Sequence, residues 1–210
     1  MKKQLMLLGG ATLLTISASA QTEKGTVMLG LSGGNFGYSH NANSNGSNIS
    51  ASLSPSAGIF LLDNFLVGTR VNVDYSYFSQ NTYTSTPITP YRYTHQGIGY
   101  GLGPFARYYV PSGSKHRFFA EAGVALYHSR FRAETKQQGE ATVQQNSRNT
   151  YSGFHGAVGY NYFFTPNIAL EATAGYYHTD LGQAYSGGNL RGQLGLSIFL
   201  QKRQPAAPQP

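Results

Sequence analysis

Apolar and polar residues alternate with a period of two along most of this chain, and that alternation limits what the chain can become. In the stretch RGQLGLSIFL, Leu194, Leu196, Ile198 and Leu200 fall on one side. Arg191, Gln193, Gly195, Ser197 and Phe199 fall on the other. Successive strand side chains point to opposite faces, so the stretch reads as a strand with one apolar and one mostly polar face. Seven earlier segments carry the same pattern, starting near Val27, Ile49, Phe65, Ile98, Phe118, Phe154 and Ile168. Nothing between them has a helical period. Eight such strands, an even number, suit an all-β, antiparallel, up-and-down barrel.

The connectors alternate in length. Ser39–Asn48, Ser79–Thr94, Ala133–Thr150 and Asp180–Gly188 are long and polar. Leu62–Asn64, Pro111–Arg117 and Thr165–Asn167 are short and carry the turn residues Asp-Asn, Pro-Ser-Gly and Pro-Asn. Long loops on one side and tight turns on the other are the asymmetry of an outer-membrane barrel whose N-terminus lies in the periplasm.

The N-terminus agrees with export. Met1-Lys2-Lys3 is a positive start, Leu5–Ile16 an apolar run, and Ala18-Ser19-Ala20 a small-residue cleavage site. Residues 1–20 therefore read as a signal peptide, 21–202 as the barrel and 203–210 as a Pro-rich disordered tail. No run of about 18 apolar residues follows Ala20, so a membrane location requires a closed barrel, which leaves no backbone group unpaired in lipid. The chain has no Cys, which excludes disulfides, thiolate chemistry and a lipoprotein anchor.

Which face meets lipid is read from the charges. Charged residues are only 11% of the chain, well below the usual quarter or so. Six of them, Arg70, Asp74, Arg107, Glu121, Glu171 and Arg191, sit mid-strand opposite the aliphatic face. That face also holds the glycines 97, 99, 101 and 103 and the serines 50, 52, 54 and 56. Small residues belong inside an eight-stranded barrel, whose interior barely admits side chains. Three arginines and three carboxylates are expected to pair there, because unpaired buried charge is costly. Tyr75 and Tyr77 at one end, and Phe65, Tyr108, Phe118, Tyr162 and Phe164 at the other, read as two interfacial girdles on the lipid face. Pro55 and Pro104 lie mid-strand, and a bulge is expected at each.

Over Gly25–Leu200 the chain resembles the small OmpA/OmpX-type outer-membrane β-barrels. The most specific element is the last strand, where Gln193, Gly195, Ile198 and Leu200 resemble the signal read by the barrel-assembly machinery. The resemblance implies that machinery as a partner. The family pattern ends the chain at an aromatic, whereas here QKRQPAAPQP continues.

No catalytic set stands out. His40, His95, His128 and His178 fall near the outer strand ends, but no pair has metal-ligand spacing, so neither metal nor cofactor is expected. His128-Ser129 with Glu121 or Glu134 invites comparison with lipid A hydrolases, but adjacent strand residues point to opposite faces. GYGLGPF lies on a strand with no following helix and is no phosphate loop. Basic residues gather at the outer rim as Arg130, Arg132, Lys136 and Arg148. Arg130 and Arg132 share the lipid-facing parity, which fits either contact with lipopolysaccharide phosphates or a solvated loop base softened by Glu134 and Glu140. The expected role is a structural or surface-interaction barrel with a polar, plugged lumen. The alternatives are a narrow pore and, behind it, a lipid A-modifying enzyme. No feature points to nucleic acid.

Overall fold

The computed structural model describes residues 22–41, 45–83, 90–137, 139–180 and 186–201. The expected signal segment 1–20 and the tail 203–210 lie outside these. In chain order the strands are β1 (Val27–Asn41), β2 (Gly46–Leu62), β3 (Phe65–Tyr83), β4 (Pro90–Tyr109), β5 (His116–Gln137), β6 (Val143–Phe163), β7 (Ile168–Asp180) and β8 (Ser186–Leu200). Each pairs antiparallel with its neighbour, and β1 pairs β8 from Val27↔Leu200 to Gly34↔Gln193. The result is one closed, up-and-down, eight-stranded barrel.

The faces follow the alternation. Leu126 is 67% and Leu194 72% exposed on the outside, whereas Arg107 and Glu121 inside are 1% and 4% exposed. A soluble barrel would hide its aliphatic residues; this one turns them outward, as lipid requires.

Two expectations about the strands need correction. The register runs through both prolines without a bulge. Between β4 and β5 the ladder lapses after Leu102↔Leu126 and resumes at Phe105↔Gly123 in the same register. Between β2 and β3 it lapses after Leu53↔Val73 and resumes at Ser56↔Arg70. In an antiparallel strand the N–H and C=O of a residue point to the same neighbour. A proline therefore forfeits bonding on one side only, and the other side stays in register, with Leu31↔Pro55 and Thr69↔Pro104. The register shifts fall elsewhere, at Gly34/Gly37, beside Asn35 with φ 51°, and at Phe60/Leu62.

The second correction concerns length. Much of the expected loops Ser79–Thr94 and Ala133–Thr150 is ladder, running to Tyr83↔Pro90 and Thr135↔Val143. β5 has 22 residues, twice the roughly 9–11 that cross a bilayer. The wall from β3 to β6 thus rises well above the apolar belt, while β7 with 13 residues does not.

Buried aromatic and aliphatic side chains crowd the end bearing the short turns. Met28, Phe60, Leu66, Tyr109, Phe119, Phe163 and Phe199 form a buried cluster inside that mouth. The segment before β1 folds under it: Asn64 N donates to Thr22 O at 2.7 Å and Gly25 N to Phe60 O at 2.8 Å. The lumen is therefore apolar and aromatic at this end, not polar throughout as the alternation implied.

Candidate functional site

Above the aromatic cluster, inward positions on six strands converge. Arg107 and Glu121 are direct cross-strand partners on β4 and β5. Arg70 reaches them from β3, His155 from β6, Glu171 from β7 and Ser197 from β8. Arg70 binds Glu121 with both Nη atoms, at 2.6 and 2.9 Å. Arg107 donates to Glu121 Oε2 from Nε at 2.9 Å and Nη2 at 2.8 Å. Its Nη1 and Nη2 also donate to Glu171, at 2.7 and 3.0 Å. His155 Nε2 lies 3.0 Å from Glu121 Oε1, and Ser197 Oγ donates to Glu171 Oε2 at 2.8 Å. The two guanidinium groups balance the two carboxylates, and each pair is made by charge-assisted, largely bidentate bonds. The Arg107 guanidinium rests 3.8 Å above the Phe119 ring, tying the ionic layer to the aromatic layer beneath.

Four of the six expected lumen charges meet in this layer; Asp74 and Arg191 do not. Both face inward nearer the outer end. Arg191 Nε donates to Asn189 Oδ1 at 2.8 Å and its guanidinium lies 5.2 Å from the Tyr177 ring centre. No ion pair joins Asp74 to any described residue within 4 Å. Facing inward at the right parity is not enough, because the charges must also share a level along the barrel axis. His155, Ser197 and Tyr109, whose OH accepts from Arg107 Nη1 at 3.0 Å, are members that charge alone did not reveal.

Three inward glycines have a specific reason. Gly101 opposes Tyr127, Gly97 opposes Phe131 and Gly159 opposes Phe119 across their ladders. A Cβ at Gly101, Gly97 or Gly159 would come within 2.4, 2.7 and 2.1 Å of the partner ring. Each aromatic ring fills the space a side chain at its glycine would take.

Of the other expected positions, Gln193 faces inward and accepts from the Tyr177 hydroxyl at 3.5 Å. Ile198 and Leu200 face outward, and Gly195 sits where a Cβ would meet Leu31 O at 2.6 Å. Arg130 and Arg132 are exposed on the outward face, and Arg132 Nη2 pairs with Glu134 Oε1 at 2.7 Å. His128 and Ser129 do point oppositely: His128 bonds Thr150 Oγ1 at 3.0 Å on the outside, while Ser129 is buried. A hydroxyl–imidazole contact missed in the sequence joins Ser186 Oγ to His178 Nε2 at 3.3 Å across β7 and β8.

Residues 6–197 match the family described as outer membrane protein beta-barrel domain. The chain belongs to that family. Its small outer-membrane barrels place this protein in the bacterial outer membrane, crossing it with strands. Among solved structures, this outer-membrane barrel is similar to the N-terminal β-barrel domain of Pseudomonas aeruginosa OprF, at 17% identity over 84% of this chain and 98% of that one, TM-score 0.44. OprG from the same organism is 9% identical over 88% and 99%, TM-score 0.48. Ail of Yersinia pestis is 8% identical over 84% and 98%, TM-score 0.40. No curated protein matches the chain.

Proposed function

We propose that this outer-membrane barrel is a non-conducting structural and surface-interaction protein, exported by cleavage of residues 1–20 and inserted through the barrel-assembly machinery by way of Gln193, Gly195, Ile198 and Leu200. The observation that carries this reading is the stacking of two packed layers in the lumen. The Arg70–Glu121–Arg107–Glu171 layer draws on β3, β4, β5 and β7, and the aromatic layer beneath it fills the mouth. Water and ions would have to part several charge-assisted bonds and then cross packed rings. The outer rim, with Arg130 and Arg132 on the lipid side, meets lipopolysaccharide, and the tall β3–β6 wall supplies the surface for other partners.

The pore alternative makes the opposite claim about the same layers. Single-channel recording in planar bilayers separates the two. The wild-type barrel should give no resolved conductance steps, and Arg107→Ala/Glu121→Ala should give small, noisy ones. Steady openings in the wild type would establish a pore.

A further inference from the structure

We infer that the outward face of β4, β5 and β6 binds one phosphorylated glycolipid of the outer leaflet, its phosphates held between opposed cations and an acyl chain laid in the furrow below. This rests on the outer-membrane reading above and deepens it from a general rim contact to a site of defined chemistry.

The starting observation is unfavourable placement. Arg130 and Arg148 stand directly opposite each other across β5 and β6, both exposed on the outward face. Arg92 and Lys136 stand opposite across β4 and β5 in the same way. Like charges directly opposite in a ladder repel. Glu134 lies between the two pairs, but it is taken by Arg132 at 2.7 Å and Lys136 at 4.0 Å. Among the described residues, no carboxylate lies within 4 Å of Arg130, Arg148 or Arg92. The sheet holds these pairs together at a cost that an anion seated between them would relieve.

Their height selects the anion. Arg130 opposes Ile98 on β4, and Ile98 opposes Tyr75 on β3, the end of the apolar belt and its aromatic girdle. The cations therefore sit where lipid headgroups begin. A cleft at this level is lined by Tyr75, Gln96, Arg130, Arg132, Asn146 and Arg148, which offers guanidinium forks and amide donors to phosphate and sugar oxygens.

The second half of the site lies on the same strands. Leu126 is four residues from Arg130, about 13 Å along the strand. Leu126 lines an apolar furrow of about 480 Å³ that runs over the outer face of the wall. The row Leu102↔Leu126↔Ser152 crosses its upper part. Val124 and Phe154 stand below that row. An apolar trough beneath a phosphate-sized cationic gap matches a molecule that is anionic at one end and acyl at the other.

The test uses the full-length barrel extracted from an outer membrane that contains lipid A. Native mass spectrometry should show one retained phosphorylated lipid A, and R130Q/R148Q should reduce that retention by about tenfold, as loss of charge-assisted bonds predicts. Retention unchanged in the variant overturns the site. So does equal rebinding of dephosphorylated lipid A, which would make the contact apolar only, or equal displacement by phosphatidylglycerol or inorganic phosphate. In lipid-free detergent the variant should melt at or above the wild type, because it removes a repulsion. A clear loss of stability would mean that the pair is structural, against the proposal. A heat-dependent gel shift scored in parallel keeps a failed site distinct from a failed barrel: both proteins must show the shift, and a wild type without it overturns the membrane reading itself.

Discussion

Glu121 holds the interior together residue by residue. Its two oxygens accept from Arg70, Arg107 and, at 3.0 Å, face His155. Removing one partner of a buried ion pair strands the others without water, which costs about 3–5 kcal/mol. Glu121→Ala should therefore lower the urea midpoint of the folded barrel in micelles and the temperature at which its gel mobility shifts. Arg191→Ala should do far less, because Arg191 is half-buried and held by a neutral amide and a ring. Comparable losses in the two variants would contradict this division. The sequence showed which charges turn inward, since that depends on parity alone. It did not show which of them meet. Asp74 is four positions from Arg70 on the same face of β3, and only the tilt and stagger of the strands decide that Arg70 lies level with Glu121 while Asp74 stands too high to reach Arg107. His155 and Ser197 were illegible for another reason: a neutral side chain on a polar face looks like any other.

At the scale of the element, strand existence and facing were readable, but strand length was not. The β5 segment beyond Tyr127 reads HSRFRAETKQ, polar enough to pass for a loop, yet it continues the ladder opposite β4 and β6. Hydrophobic alternation reports only where a strand has an apolar side, and above the membrane both sides are wet. The glycine row was legible as a lining of small residues, while the cause at Gly97 and Gly101, a ring from the next strand in the side chain's place, needed the register. That cause is testable. Gly159→Ala would drive a methyl to within 2.1 Å of the Phe119 ring, an overpacking expected to cost about 1–3 kcal/mol. Gly156→Ala, three residues away on the outward face with open space before it, should leave unfolding within about 0.5 kcal/mol of wild type. Equal effects would show that backbone freedom, not the cross-strand ring, is what these glycines supply.

For the whole molecule, the vertical order of layers implies a direction across the membrane. The short turns, the aromatic cluster and the segment from Thr22 that folds beneath it lie at one end; the tall β3–β6 wall and the opposed cations lie at the other. On the export route proposed above, the end with the aromatic cluster should lie in the periplasm and the tall wall outside the cell. Because the chain contains no Cys, single cysteines report this without background. Glu140→Cys, at the exposed tip between β5 and β6, should react with a membrane-impermeant maleimide on intact cells. Lys115→Cys, exposed in the turn between β4 and β5, should react only after the outer membrane is permeabilised. The opposite pattern would invert the barrel, put the opposed arginines against the inner leaflet, and remove both the surface role of the wall and the outer-leaflet lipid as its ligand.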